Sequence, residues 1–84
     1  NIFVTNDAGD PVVILGTTDI GDGAVTTWSA KGKELVALGA NENGGAVAVS
    51  NKTGEGVVQM HVDEYGNGLA WAGNREGMGR MLRP

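Results

Sequence analysis

Five carboxylates sit in three glycine-rich stretches of this 84-residue chain: Asp19 and Asp22 in residues 18–23, Glu42 in 41–45, and Asp63 and Glu64 in 63–68. Oxygen-rich loops of this kind suit calcium, so Asp19, Asp22, Asp63 and Glu64 are the candidate metal ligands. Their spacing matches neither an EF-hand loop nor a nonapeptide calcium repeat. Acids at tight turns also keep a strand-rich surface soluble and restrain edge pairing, and no metal or other cofactor is expected. Paired carboxylates can hydrolyse glycosides when they flank the scissile bond. Asp63 and Glu64 are neighbours on one turn, where they tend to point apart, and so short a chain offers no deep cleft. Ser29 and Ser50 lack a nucleophile elbow, and His61 has no evident partner. The Gly54-Glu55-Gly56 stretch is not followed by a helix that could cradle phosphate. No residue is assigned as catalytic, and the chain is not expected to be an enzyme.

Trp28 and Trp71 are the candidate ligand-stacking residues, for glycan or protein. Gap filling or packing at a chain contact is the blander role for both. Asn51-Lys52-Thr53 matches the glycosylation sequon, but it falls in a turn that recurs as Asn74-Arg75-Glu76 without the threonine. The net charge of −4 argues against nucleic acid, whose binding rests on Lys and Arg at phosphates. Charge is unevenly spread. Residues 1–30 hold four acids and no base, whereas Arg75, Arg80 and Arg83 near the other end face only Glu76. The longest apolar stretch, residues 12–15, is far too short to span a bilayer, so membrane insertion is not expected. Without cysteine there is no disulfide and no thiolate metal site; an extracellular setting is compatible with this. The chain starts at Asn1 rather than Met, which reads as a piece of a longer protein whose adjoining domains are its partners.

What must position these residues is a repeat. Gly9, Gly32, Gly54 and Gly77 recur at steps of 23, 22 and 23, and Gly39 follows Gly16 by 23. A period in this range marks an architecture in which one unit cannot bury its own apolar face. Four units follow, approximately 1–23, 24–45, 46–68 and 69–84, forming one domain. Each unit holds an alternating segment, a polar turn ending in the aligned glycine, a second apolar segment and a second, acidic turn. The first segments are 2–4, 24–28, 46–50 and 69–72; the second are 11–15, 35–38, 57–60 and, more weakly, 80–82. Glycine-bounded runs of this length are strands, and no segment has useful helical periodicity. The fold class expected is all-β, with two short strands per 22–23 residues.

Period-two alternation then assigns faces. Ile2 and Val4, Val25 and Thr27, and Val47 and Val49 share a face of the first strands. Val13 and Leu15, Val36 and Leu38, and Val58 and Met60 share a face of the second. The core or chain-contact set is therefore Val13, Leu15, Val25, Val36, Leu38, Val47, Val49, Val58 and Met60. A one-residue slip would bury Thr26, Ala48 and Gln59 instead, so the register is well specified. Three arrangements fit: an intertwined trimeric β-helix, a monomeric β-solenoid and an antiparallel meander. The trimer is favoured because so few short strands leave a lone chain with open edges and little core, and no polar capping unit is present.

The run Val13-Ile14-Leu15-Gly16, its echo across residues 35–47, and Asn51-Lys52-Thr53-Gly54 resemble repeats of uncharacterised bacterial proteins, notably of planctomycetes. In style, the short strands and glycine turns also resemble the triple-stranded β-helix stalks of phage tail fibres and phage hyaluronidases. The second resemblance implies a rigid homotrimeric stem or spacer, at a cell surface or on a virion. It implies no hyaluronidase activity, because no catalytic motif of that family is matched here. The functional expectation is a structural trimerising stem that displays or connects other domains, with a glycan- or protein-binding β-repeat module as the alternative.

Overall fold

The computed structural model describes residues 1–84. It contains eight strands and no helix: β1 (Ile2–Thr5), β2 (Pro11–Thr17), β3 (Gly23–Trp28), β4 (Glu34–Asn41), β5 (Gly44–Ser50), β6 (Gly56–Val62), β7 (Gly68–Gly73) and β8 (Gly79–Leu82). They form one open antiparallel sheet in sequence order, β1 through β8. Of the three arrangements weighed from the sequence, the chain itself takes the meander. Each unit of the repeat is one hairpin, and no helix is long and apolar enough to cross a membrane.

Six of the seven turns share one construction. The residue opening the turn is Asn6, Thr18, Ser29, Asn51, Asp63 or Asn74, and a glycine follows three positions later. At the β5–β6 turn the Gly54 N–H donates to the Asn51 carbonyl at 3.0 Å, and the Asn51 N–H donates to the Glu55 carbonyl at 2.9 Å. The Asn51 Oδ1 accepts the N–H groups of Thr53 and Glu55, both at 3.1 Å. Gly54 has φ of +96°, the left-handed region that a Cβ disfavours and glycine enters freely. A turn closed by a left-handed glycine gives a hairpin whose twist matches its strands. The opening side chain accepts the N–H four residues on at all six turns: from Asp10, Asp22, Lys33, Glu55, Asn67 and Met78. The β4–β5 turn is the exception, a tight link in which Asn41 pairs with Gly44.

These turns hold a register that does not drift. Val4, Val13, Thr27, Val36, Val49, Val58, Ala72 and Arg80 form a continuous row of directly opposed residues across all eight strands. Ile2, Leu15, Val25, Leu38, Val47, Met60, Ala70 and Leu82 form a second, parallel row. Directly opposed residues of an antiparallel pair share a face, and so do residues two apart along a strand. Both rows therefore lie on one face. Three bulges interrupt the pairing at its turn-proximal end, leaving Val12, Leu35 and Val57 without an opposed partner.

The sheet is a single layer. It measures 44 × 32 × 15 Å, with a radius of gyration of 14.2 Å, against about 12 Å for a compact domain of this length. No residue is buried. The accessible surface is 6051 Å², against about 4,700 Å² for a folded monomer of this mass, an excess of about 1,350 Å². Ordering the backbone costs roughly 1–2 kcal/mol per residue, and a layer without an interior has little apolar burial to offset it.

Replacing Asn51 by Ala removes the acceptor for two backbone N–H groups and is expected to cost about 1–2 kcal/mol. Asn51→Asp should keep most of the stability, since Asp63 fills the same role one turn further along the chain. Urea unfolding checks both, and an unchanged midpoint for Asn51→Ala would show that the side-chain acceptor does not hold the turn.

Candidate functional site

The residue class with the most to do on this sheet is its apolar face. The nine residues named as core or chain contacts from alternation, Val13, Leu15, Val25, Val36, Leu38, Val47, Val49, Val58 and Met60, all stand in its two rows. None is buried in the single chain; Leu15, Leu38 and Met60 are 38%, 43% and 47% exposed. The second row alternates in size, with Leu15, Leu38, Met60 and Leu82 on even-numbered strands and Val25, Val47 and Ala70 between them. Arg80 is the only charged residue in either row. Toward one end of the strands each flanking pair includes a glycine, with Ala40 opposite Gly45 and Val62 opposite Gly68. The result is a narrow apolar stripe running across the strands, about 34 Å long at 4.8 Å per strand.

Both tryptophans lie on the opposite face. Trp71 is opposed by Gln59 and Met81, one step out of phase with the apolar rows. Its ring lies over Gly73 and Gly79: a Cβ on Gly73 would sit 2.4 Å from the ring, and one on Gly79 2.7 Å. The ring thus covers backbone that has no side chain of its own. Trp28 donates its indole N–H to the Thr26 hydroxyl at 2.9 Å, which places the two side chains on one face. It borders a concavity whose polar lining comes from Asp10, Ser29 and Lys31. Three strands, β4 to β6, lie between Trp28 and Trp71, a span of about 19 Å, so they do not form one stacking site. The centre of this face is small, with Ala37 opposite Ala48 and Gly39 opposite Ala46. His61 stands beside it, half-buried between Ala46 and Leu69.

The turns divide by charge. Those at one end of the strands, between β2 and β3, β4 and β5, and β6 and β7, carry Asp19, Asp22, Glu42, Asp63 and Glu64 and no base. Asp19 and Asp22 are four strands from Asp63 and Glu64, and no three His, Cys, Asp or Glu side chains come together to hold an ion. Asp63 has a structural task, since its Oδ1 accepts the N–H groups of Tyr65 at 2.9 Å and Asn67 at 2.8 Å. Thr18 does the equivalent work in the first acidic turn, at 3.2 Å from the Asp22 N–H. Asn51 of the sequon is likewise engaged as a turn acceptor.

The opposite set of turns is mixed in sign. There the Thr53 hydroxyl bonds to both Asn51 Oδ1 and the Glu55 carboxylate. The bond from Thr53 holds the Glu55 carboxyl below the ordinary glutamate range, with smaller help from Arg75 and Lys33 on the neighbouring turns. Alternation had found the apolar rows; it had not found this chain of side chains, whose signal is the polar-x-x-Gly turn motif. No family model, curated protein or solved structure matches the chain.

Because the Glu55 carboxyl is depressed in the fold, its contribution to stability is present above the unfolded-state value and lost as pH falls through the folded-state value. In a carboxylate NMR titration Glu55 is expected to titrate below the ordinary glutamate range. Thr53→Val should move it back up, and an unmoved Glu55 would remove the hydroxyl as the cause.

Proposed function

We propose that the protein is a structural stem or spacer in which three copies bring their apolar faces together around a common axis, connecting or displaying other domains without catalysis of its own. The observation that carries this reading is the uncovered two-row stripe on a layer with no interior. Its surface excess of about 1,350 Å² matches what one partner contributes to a large obligate interface. Three sheets fit the stripe better than two. A two-sheet sandwich needs apolar cover over its whole width, whereas three facets meeting at an axis need only a narrow strip each. The small residues beside the strip, such as Ala40 and Gly45, leave room for neighbouring sheets to converge. With threefold symmetry, layers of Leu or Met would alternate along the axis with layers of Val or Ala, an arrangement that fills a narrow interior without voids. An uncovered apolar face of this size belongs to an interaction surface.

A glycan- or protein-binding module is the second reading, favoured by one observation: Trp28 and Trp71 share the face that such a stem would turn outward. Titration of oligosaccharides against tryptophan fluorescence, with Trp28→Ala and Trp71→Ala beside the wild type, separates the readings. Saturable quenching lost in either variant supports binding, and a flat response throughout leaves the stem alone.

Sedimentation equilibrium is expected to give three times the chain mass of 8.6 kDa. Leu38→Lys, which puts a charge in the centre of the stripe, should abolish the assembly and most of the strand signal in circular dichroism. Gln59→Lys on the other face should leave both unchanged. A folded, monodisperse monomer would overturn the reading.

A further inference from the structure

A meander turns at alternate ends of its strands. The turns between β2 and β3, β4 and β5, and β6 and β7 form one side of the sheet. Those between β1 and β2, β3 and β4, β5 and β6, and β7 and β8 form the other. Along either side successive turns stand two strands apart, about 9.6 Å, and the two sides are offset by one strand, about 4.8 Å. Each turn of one side is therefore level with a gap in the other.

The two sides differ in charge. The turns of the first carry acids and no base. All three lysines of the chain, Lys31, Lys33 and Lys52, lie in turns of the second, with Arg75. The side chains of Glu42, Glu64, Lys31 and Lys52 hold no turn together, since the acceptors there are Asn41, Asp63, Ser29 and Asn51. They are free to meet a partner. Turns two strands apart already sense one another within the chain, as Lys33 and Arg75 help to lower the Glu55 carboxyl.

The apolar stripe runs across the strands, so in a stem it lies along the axis and the two sets of turns become the seams where neighbouring facets meet. Rotation about one axis carries each copy onto the next at the same height and brings unlike sides together at every seam. With strands perpendicular to the axis, the one-strand offset seats each acidic turn between two turns of the neighbour. The Glu42 turn falls between the turn of Lys31 and Lys33 and that of Lys52. The Asp63 and Glu64 turn falls between those of Lys52 and Arg75. The Asp19 and Asp22 turn has Lys31 and Lys33 on one side and Asp7 and Asp10 on the other. A copy running the opposite way would set acidic turns against acidic turns, which repel. Resting on the three-copy stem proposed above, we infer that its copies run parallel and at one height, with the acidic turns of each interleaved between the lysine-bearing turns of the next. The partner of the acidic side is thus a second copy of this chain.

Disulfide trapping tests this, because the chain has no cysteine of its own. Glu42 and Lys52 lie beyond opposite ends of β5, which spans seven residues, about 24 Å, and no disulfide reaches that far within one copy. Across a seam the two are one strand apart in height, a separation a disulfide can bridge. Mild oxidation of E42C/K52C should give covalent dimers and trimers on a non-reducing gel, while E42C alone and K52C alone stay single chains. In sedimentation equilibrium E42K/E64K should shift trimer dissociation to higher protein concentration. Adding K31E/K52E to that variant should shift it back, since every seam is then complementary again with its signs exchanged. A trimeric wild type whose E42C/K52C variant cross-links no faster than the single variants overturns the inference and leaves the stem standing. Rapid dimers of E42C alone overturn it too, because they mean acidic sides meeting, as does a fourfold charge variant that dissociates like E42K/E64K. A wild type that sediments as a monomer overturns the stem and this inference together.

Discussion

The interaction on which the structure depends is small and repeated: a side-chain oxygen at the opening of a turn accepts the backbone N–H four residues later. It appears as an Asn, Asp, Ser or Thr acceptor six times along the chain. Each instance satisfies a donor that the tight turn would otherwise leave to solvent, and the left-handed glycine beside it closes the hairpin. Because side chains alternate with a period of two, a slip of one residue at any turn would send a whole strand's Val and Leu to the wrong face. The turns therefore do more than connect. They keep two apolar rows unbroken over eight strands and keep the acids at the strand ends.

The same economy leaves the chain without an interior. Hydrogen bonding between strands is complete in one dimension, but single bonds contribute only about 1 kcal/mol net, and a sheet ordinarily gains its stability by packing a face against a second layer. Here both faces are open. One carries the two rows, mostly Val and Leu; the other is a mosaic of Ala, Gly and Thr with larger groups, Phe3, Ile14, Trp28, His61, Leu69, Trp71 and Met81. In the proposed assembly, stability would be a function of protein concentration, and folding and assembly would be one equilibrium.

Much of this was legible in the sequence. The glycine spacing yields the units, and the alternation in Val47-Ala48-Val49 and Leu35-Val36-Ala37-Leu38 yields the rows that the structure shows. Strand bounds extended beyond the apolar segments, to Thr17, Asn41 and Val62, because backbone pairing continues through polar and glycine positions that carry no hydrophobic signal. The three bulges were not legible. Val12, Leu35 and Val57 read as ordinary strand residues, and only the pairing reveals that each lacks an opposite. The tryptophans looked ambiguous, yet the parity that unites Val25 with Thr27 already sets Trp28 on the other side. The pairing of Trp71 with Gln59 does the same for the second ring. What alternation does not supply is the number of layers, since a strip of apolar residues is written identically in a single sheet and in a stacked one.

The bulges recur with the repeat, one in each of the first three hairpins, at Val12, Leu35 and Val57. The fourth hairpin, β7–β8, pairs without one, from Ala70 with Leu82 to Gly73 with Gly79. An extra residue in one strand sharpens the local right-handed twist, and the three bulges place that effect at equivalent positions of the first three units. The fourth unit omits its bulge, and Trp71 lies across the glycines there instead. The extra twist that a bulge brings is thus placed once in each of the first three units and not in the fourth.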